Sequence, residues 1–387
     1  MRSCFALLTV VALLGAAKPA NGPPIQIYAI LSMTGAGSFL GVNEVRTLKI
    51  VERLTNAGGG IRGRRVEFVT LDDQSTPQVD VQLTGELIAK NVPVFIGPTI
   101  PQACQAALPL VEKAGPVMIC LNPSIHPAPG SFAFSAGQDS KETATVVLRY
   151  LKGRGFTRLA VLNATDGSGQ DMDHSLDYAF ALPEFKNLQL VDREHFAATD
   201  LSVSGQIARI KAASPQVLLT WCAGTPLGTV LLGANAAALN VPIVTTGGNM
   251  NRVQMQQYAS FLPKEMLFTS QIAWIPGTVG PGPIRDLQDE YYRAIRAAGY
   301  VPDAGYTLTW DPGMLLIDAY NHLGPDPTAV QIRDFLVGLH GWVGIDGIYD
   351  YHSYPQHGIG ATSGQVAAWD AAKQEFVPVS KRAGSVK

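Results

Sequence analysis

The stretch from Ile25 to Pro77 constrains the fold of this chain more than any other. A β-type run, Ile25–Leu31, enters a turn of Ser, Thr and Gly residues. A helical pattern follows, with Val45, Leu48, Val51 and Leu54 on one face, and stops at Gly58-Gly59-Gly60. A second β-type run, Val66–Leu71, ends at Asp72-Asp73. This is a βαβ unit with small polar residues at the carboxyl end of its first strand, where open α/β sheets bind ligands.

The same alternation continues. Strand signals lie at Val92–Ile96, Val117–Leu121, Arg158–Leu162, Val217–Trp221 and Pro242–Thr245. Helical signals lie at Gln102–Ala114, Lys141–Gly153, Leu227–Ala238, Ile284–Ala298, Pro312–Leu323 and Gln331–Leu339. Repeated βα units predict parallel sheets with right-handed crossovers. After Trp274 the chain becomes rich in Pro and Gly, and Gly341–Tyr354 reads as a terminal hairpin. The loops after the strands carry Ser, Thr, Asn and Gly, such as Asn122-Pro123-Ser124, Asn163–Gly169 and Gly247-Gly248-Asn249. An enzyme would place His, Asp, Lys or Cys at several of these points, so the pattern favours binding over catalysis. Gly167-Ser168-Gly169 lacks the flanking pattern of a nucleophile elbow, and Gly58-Gly59-Gly60 follows a helix, the wrong context for a phosphate loop.

A length of 387 residues exceeds one ordinary core and predicts two lobes. The formal charge of −2 leaves no basic footprint for nucleic acid. Arg2 and the apolar run Cys4–Ala17 have the form of a cleaved secretory leader within residues 1–22, with Gly15-Ala16-Ala17 before the cut. The run is shorter than the ~20 residues of a membrane span. Cys4 precedes the apolar core, which argues against a lipid anchor. Cys104 and Cys120 have two readings, a bridge formed in an oxidising compartment or two small buried hydrophobes, and Cys222 is left over.

With these residues in hand, the chain resembles the type I periplasmic binding proteins of the Leu/Ile/Val-binding group, the solute receptors of ABC importers. The resemblance rests on Ser32-Met33-Thr34-Gly35, the run from Asn56 to Arg64, Asp72-Asp73-Gln74, Gly97-Pro98 and Pro302-Asp303. It implies an α/β Venus-flytrap of two doubly wound parallel-sheet lobes joined by three crossovers. Lobe one would hold residues 25–138 and 273–340, and lobe two residues 139–272 and 341–387. It also implies a periplasmic monomer that presents a closed, ligand-bound form to a membrane permease, with no cofactor.

Amino-acid-binding members of that group place a carboxylate in lobe two against the ligand ammonium. The matching position here is Gly247, in a turn with Asn249. A second-lobe tyrosine corresponds to Ser168, and another aromatic contact falls at Cys222–Gly224. No Asp or Glu lies between Ser202 and Lys264. Burying an ammonium without a partner costs several kcal/mol, so an α-amino acid would need Asp166 or Asp171 to supply the charge. The acid end is better served. Pro101 fits the first helical position and leaves the N–H groups of Gln102 and Ala103 free. The ligand carboxylate is expected among Thr99, Gln102, Asn122 and Ser124. The expected ligand is therefore an aromatic carboxylate (a benzoate, phenylpropanoid or aryl-keto acid), with a branched-chain or aromatic amino acid as the alternative and a ligand-sensing module of a receptor or regulator as the next.

The remaining candidates each carry two readings. Phe39 and Trp221 either sandwich a flat ring or pack, whereas for Trp310, and for Asp166 as a helix cap, the structural reading is preferred. Asp72-Asp73 reads as a strand-end cap, with no third metal ligand at a useful spacing. His126 reaches the cleft mouth or faces water. His322, His340, His352 and His357 lack a paired metal spacing, so no metal is expected.

Overall fold

The computed structural model describes residues 22–222 and 224–387. The expected leader, Cys4 included, lies outside them up to Gly22.

The first lobe begins as the βαβ pattern predicts. Strand β1 (Ile25–Leu31) leads to helix α1 (Ser38–Ala57) and strand β2 (Val66–Asp72). The buried face of α1 is Glu44, Thr47, Leu48 and Val51, and Leu54 stands out in solvent at 37% exposure. The helix turns back at Gly60, whose φ of 72° suits glycine and whose Cβ would lie 2.0 Å from the Arg64 carbonyl. Helix α2 (Pro77–Ala89), strand β3 (Val94–Ile96), helix α3 (Pro101–Val111) and strands β4 (Val117–Cys120) and β5 (Ala133–Ser135) follow. These strands form one parallel sheet in the order β2-β1-β3-β4-β5.

The chain crosses to the second lobe between Ser135 and Ser140. Helix α4 (Ser140–Gly153), strand β6 (Arg158–Ala164), helix α5 (Gly167–Phe180), strand β7 (Gln189–Phe196) and helix α6 (Ser204–Ala212) come next. They continue into strand β8 (Val217–Thr220), helix α7 (Pro226–Ala236), strand β9 (Ile243–Thr245), helix α8 (Arg252–Gln257) and strand β10 (Met266–Gln271). The chain then returns to lobe one for helices α9 (Pro283–Ala297), α10 (Ala304–Thr307), α11 (Trp310–Leu323) and α12 (Ala329–Val337) and the antiparallel pair β11 (His340–Val343) and β12 (Ile348–Asp350). Strands β13 (Gly364–Asp370) and β14 (Glu375–Pro378) finish the second sheet, ordered β14-β13-β10-β9-β8-β6-β7.

The third crossing lies later than expected. Ile345, Tyr349, Tyr351 and Ile359 are buried in the same core as Ile27, Phe68 and Tyr320, so the hairpin belongs to the first lobe. The chain returns to lobe two between Ile359 and Gly364, not at 340/341. Aromatic burial decides this, because leaving two tyrosines and two isoleucines in water would forfeit roughly 1.5–3 kcal/mol for each such side chain.

Cys104 of α3 and Cys120 of β4 form a disulfide with Cα atoms 5.9 Å apart, and both sulfurs are buried. The bridge ties the first turn of α3 to the end of β4. For a closed loop of this length the chain-entropy argument gives about 3 kcal/mol. Replacing both cysteines by serine is expected to lower the stability of the first lobe by about that amount in urea unfolding, with the second lobe unchanged.

Candidate functional site

Both sheets reverse their strand order once. In the first lobe the reversal lies between β1 and β3, and in the second between β6 and β8. Crevices of this kind, beyond the carboxyl ends of the strands, are where open α/β sheets bind ligands. The two crevices face each other. Phe39, in the first turn of α1, lies 3.9 Å from where a Cβ on Gly224 would be, in the loop after β8. Gln105 of α3 lies against Gly167 at the start of α5, and a Cβ there would come within 2.5 Å of Gln105 Oε1.

On the first-lobe side, Pro101 occupies the first turn of α3 and Ile100 offers no capping side chain. The first N–H groups of such a helix have no intrahelical acceptor, and together with the helix dipole they suit an anion. The Leu121 N–H donates to the Pro98 carbonyl at 2.9 Å, which sets the loop after β4 beside this helix start. In that loop Asn122 Oδ1 accepts from the Ser124 N–H at 3.1 Å, while Ser124 Oγ is buried and has no hydrogen-bond partner. Gln102 is half-buried.

Thr99 does not join this group. The residue is 1% exposed, and its hydroxyl donates to Glu44 and accepts from the Ser32 N–H at 3.1 Å. Glu44 itself is fully buried under the crevice floor, and burial pushes its carboxyl up to about 8 against the Thr99 hydrogen bond. Asp73 and Asp80, also buried, are raised for the same reason, Asp80 to about 8. Sequence periodicity could show that Glu44 shares a face with Leu48 and Val51, but not that the face meets a strand end.

In the second lobe several expected contacts turn inward. Trp221 is 5% exposed and packs with Leu219, Leu267 and Val366, so it is a core residue. The thiol of Cys222 is fully buried, and burial raises it to about 12. Asn249 is buried with its amide fully engaged. Its Nδ2 donates to the Cys222 carbonyl at 2.7 Å and to Thr245 Oγ1 at 3.1 Å, and its Oδ1 accepts from the Gly224 N–H at 2.9 Å. It ties two loops together. Asp166 caps α5, with Oδ1 accepting from the N–H groups of Ser168 and Gly169 at 3.0 and 3.1 Å. Ser168 is half-buried in the first turn of the same helix.

Gly247, the position that the resemblance matches to the ammonium-binding carboxylate, lies under Trp274. A Cβ built on it would lie 2.1 Å from Cζ3 of Trp274 and 2.4 Å from the Thr269 carbonyl. No side chain fits while Trp274 covers the turn. Trp274 Nε1 is buried and without a partner.

A cavity of about 280 Å³ opens between the lobes beside this tryptophan. Met250, Arg252 and Phe376 line it from the second lobe, and Tyr300 and Asp303 from the first. It does not take in Gln102 or Ser124. Asp303 is thus an acidic group facing an interlobe space, noted in the sequence only through Pro302-Asp303. Its carboxylate caps α10 by accepting from the Gly305 N–H at 3.0 Å, and burial pushes it up to about 6.

His126 does bridge the lobes. Its Nε2 lies 2.6 Å from Asp171 Oδ1 on α5 and its Nδ1 3.3 Å from Asp139 Oδ2, and these hydrogen bonds, Asp139 first, push the ring up to about 9. Among the described residues no helix is long and apolar enough to cross a membrane.

Comparison with known proteins agrees with this architecture. No curated protein matches the chain. Among solved structures, an extracellular ligand-binding receptor from Rhodopseudomonas palustris HaA2 superposes with a TM-score of 0.81 at 19% identity, covering 92% of this chain and all (100%) of that one. A branched-chain amino acid transporter substrate-binding protein of Streptococcus pneumoniae, solved with isoleucine, gives 0.75 at 17% identity over 92% and 99% of the two chains. An ABC transporter solute-binding protein of R. palustris, solved with benzoate, gives 0.76 at 16% identity over 94% and 97%. The family model described as periplasmic binding protein matches residues 24–374. With two facing α/β lobes, three crossings and a match over nearly the whole described chain, this protein belongs to the periplasmic binding protein family of solute receptors.

Proposed function

We propose that this receptor captures an aromatic carboxylate (a benzoate, phenylpropanoid or aryl-keto acid) outside the cytoplasm and presents it, as a monomer, to the permease of an ABC importer. The observation that carries this reading is Gly247 under Trp274, which leaves no room for an ammonium-binding carboxylate at the turn. Two buried donors without partners, Ser124 Oγ and Trp274 Nε1, support it. So does the uncapped start of α3. Charge-assisted bonds from such donors contribute roughly 1.5–3 kcal/mol each. The benzoate complex among the similar structures is a case of this fold holding an aryl acid.

An amino acid is the second reading, and Asp303 is the observation that favours it, because it places a carboxyl at the interlobe cavity. A thermal-shift screen separates the two. Aryl acids at a hundredfold excess over their dissociation constant are expected to stabilise the protein by about 2.7 kcal/mol, with no response to leucine or isoleucine. A response to leucine that disappears in Asp303→Asn would overturn the aryl-acid assignment.

A further inference from the structure

Four side chains meet at the first crossing and take no part in the cleft chemistry described above. His126 and His357 come from the first lobe, Asp139 from the start of α4, and Asp171 from α5. One ligand atom each from His126, Asp139 and His357 lies within 4.8 Å of the others. His126 Nδ1 is 3.3 Å, and His357 Nε2 3.7 Å, from the same oxygen, Asp139 Oδ2.

Hydrogen bonds on the far sides of the rings fix where the protons sit. His357 Nδ1 is 3.1 Å from the Gly137 carbonyl, which can only accept, so the proton is on Nδ1. The lone pair of the neutral ring is then on Nε2, which is buried and has no partner, in a residue 5% exposed. A lone pair facing a carboxylate oxygen is repulsive unless a cation lies between them. His126 donates from Nε2 to Asp171 at 2.6 Å, which turns Nδ1 toward Asp139. Asp139 Oδ1 accepts from the Lys141 N–H at 2.8 Å as a helix cap, leaving Oδ2 for the shared point.

We propose that His126, Asp139 and His357 bind one divalent transition-metal cation of the zinc type, with Asp171 as a positioning residue that orients His126. Zinc bound at about 2.0–2.1 Å to nitrogen and oxygen requires tetrahedral ligand–ligand edges of about 3.4 Å. Two of the three edges here, 3.3 and 3.7 Å, lie within a few tenths of an ångström of that value, and the third, between His126 and His357, is at most 4.8 Å. Two imidazoles and one carboxylate suit zinc, cobalt or nickel, whereas calcium and magnesium prefer all-oxygen sites. The Asp171–His126 and Gly137–His357 bonds are the outer contacts that metal-binding histidines ordinarily have. Because the ligands stand on both sides of the crossing, a bound ion fastens the lobes together. The inference does not depend on the identity of the organic ligand.

Calorimetric titration of the EDTA-treated mature protein with Zn2+ tests it, with Mg2+ as control. One equivalent of Zn2+ is expected to bind and Mg2+ not to bind. Affinity is expected to fall at least tenfold in His126→Ala and His357→Ala, and about 10–100-fold in Asp171→Asn. His126 is 39% exposed in its side chain, so its variant reads the site even if the buried His357→Ala fails to fold. Co2+ gives a second readout, an intense visible band of tetrahedral coordination in the wild type that weakens in His126→Ala and changes shape in Asp171→Asn. Absence of stoichiometric Zn2+ binding, or equal affinity in wild type and His126→Ala, would overturn the proposal.

Discussion

Replacing Gly247 by aspartate is expected to destabilise the second lobe by on the order of 4 kcal/mol and to abolish ligand binding, not to create an ammonium site. The first part of that cost is steric, since the new Cβ would lie 2.1 Å from Trp274 and 2.4 Å from a backbone carbonyl. Overpacking of this kind costs about 1–3 kcal/mol. The second part is a carboxylate set down beside an indole in a buried turn, which adds a few kcal/mol. Urea midpoints of the second-lobe transition measure the total. Gly247→Ala should show the steric part alone, and Gly247→Ala with Trp274→Ala should recover only the share due to the indole, because the Thr269 carbonyl stays 2.4 Å from the new Cβ. A Gly247→Asp protein of undiminished stability would mean that Trp274 does not cover this turn.

The second large effect concerns Glu44 and runs opposite to the usual acid denaturation. In the unfolded chain its carboxyl ionises near 4.5, and in the folded protein, fully buried, near 8. Below pH 4.5 both states hold the proton and the stability is complete. Between pH 4.5 and 8 only the folded state holds it, so each pH unit costs about 1.4 kcal/mol and the loss reaches on the order of 4 kcal/mol by pH 8. Asp80, also raised to about 8 by burial, adds a slope of the same sign. Unfolding of the first lobe in urea at pH 5 and pH 8 is expected to show this decline, and Glu44→Gln to remove the share due to Glu44. An identical slope in Glu44→Gln would place the titration elsewhere.

The sheets were legible because their strands are short apolar runs bounded by Gly, Pro and Asn. The helix at Ser38–Ala57 was legible as an element but not in its orientation. Leu54 fits the apolar stripe yet faces solvent, whereas Glu44 is buried, because the first turns of α1 dock on the end of β1 and tertiary contact overrides hydropathy. The hairpin after residue 340 was seen, but its lobe was not, since nothing local shows which core Tyr349 and Tyr351 will join. For the site, composition showed the hydrogen-bonding character of the loops. It could not separate Ser124, whose hydroxyl is unpartnered, from Thr99 and Asn249, whose polar groups are consumed internally. That distinction depends on partners 55 or 27 residues away. The meeting of His126 with His357 was equally hidden, because 231 positions separate them and only the crossings bring them together.

Phenylpyruvate and phenylalanine share a ring and a carboxylate and differ at the α-carbon, where one bears a keto oxygen and the other an ammonium. Calorimetric titration of the two into the same preparation therefore tests the cleft most directly. The account predicts that phenylpyruvate binds and that phenylalanine binds at least about 100-fold more weakly, a gap of about 2.7 kcal/mol. Equal or tighter binding of phenylalanine, lost in Asp303→Asn, would contradict it.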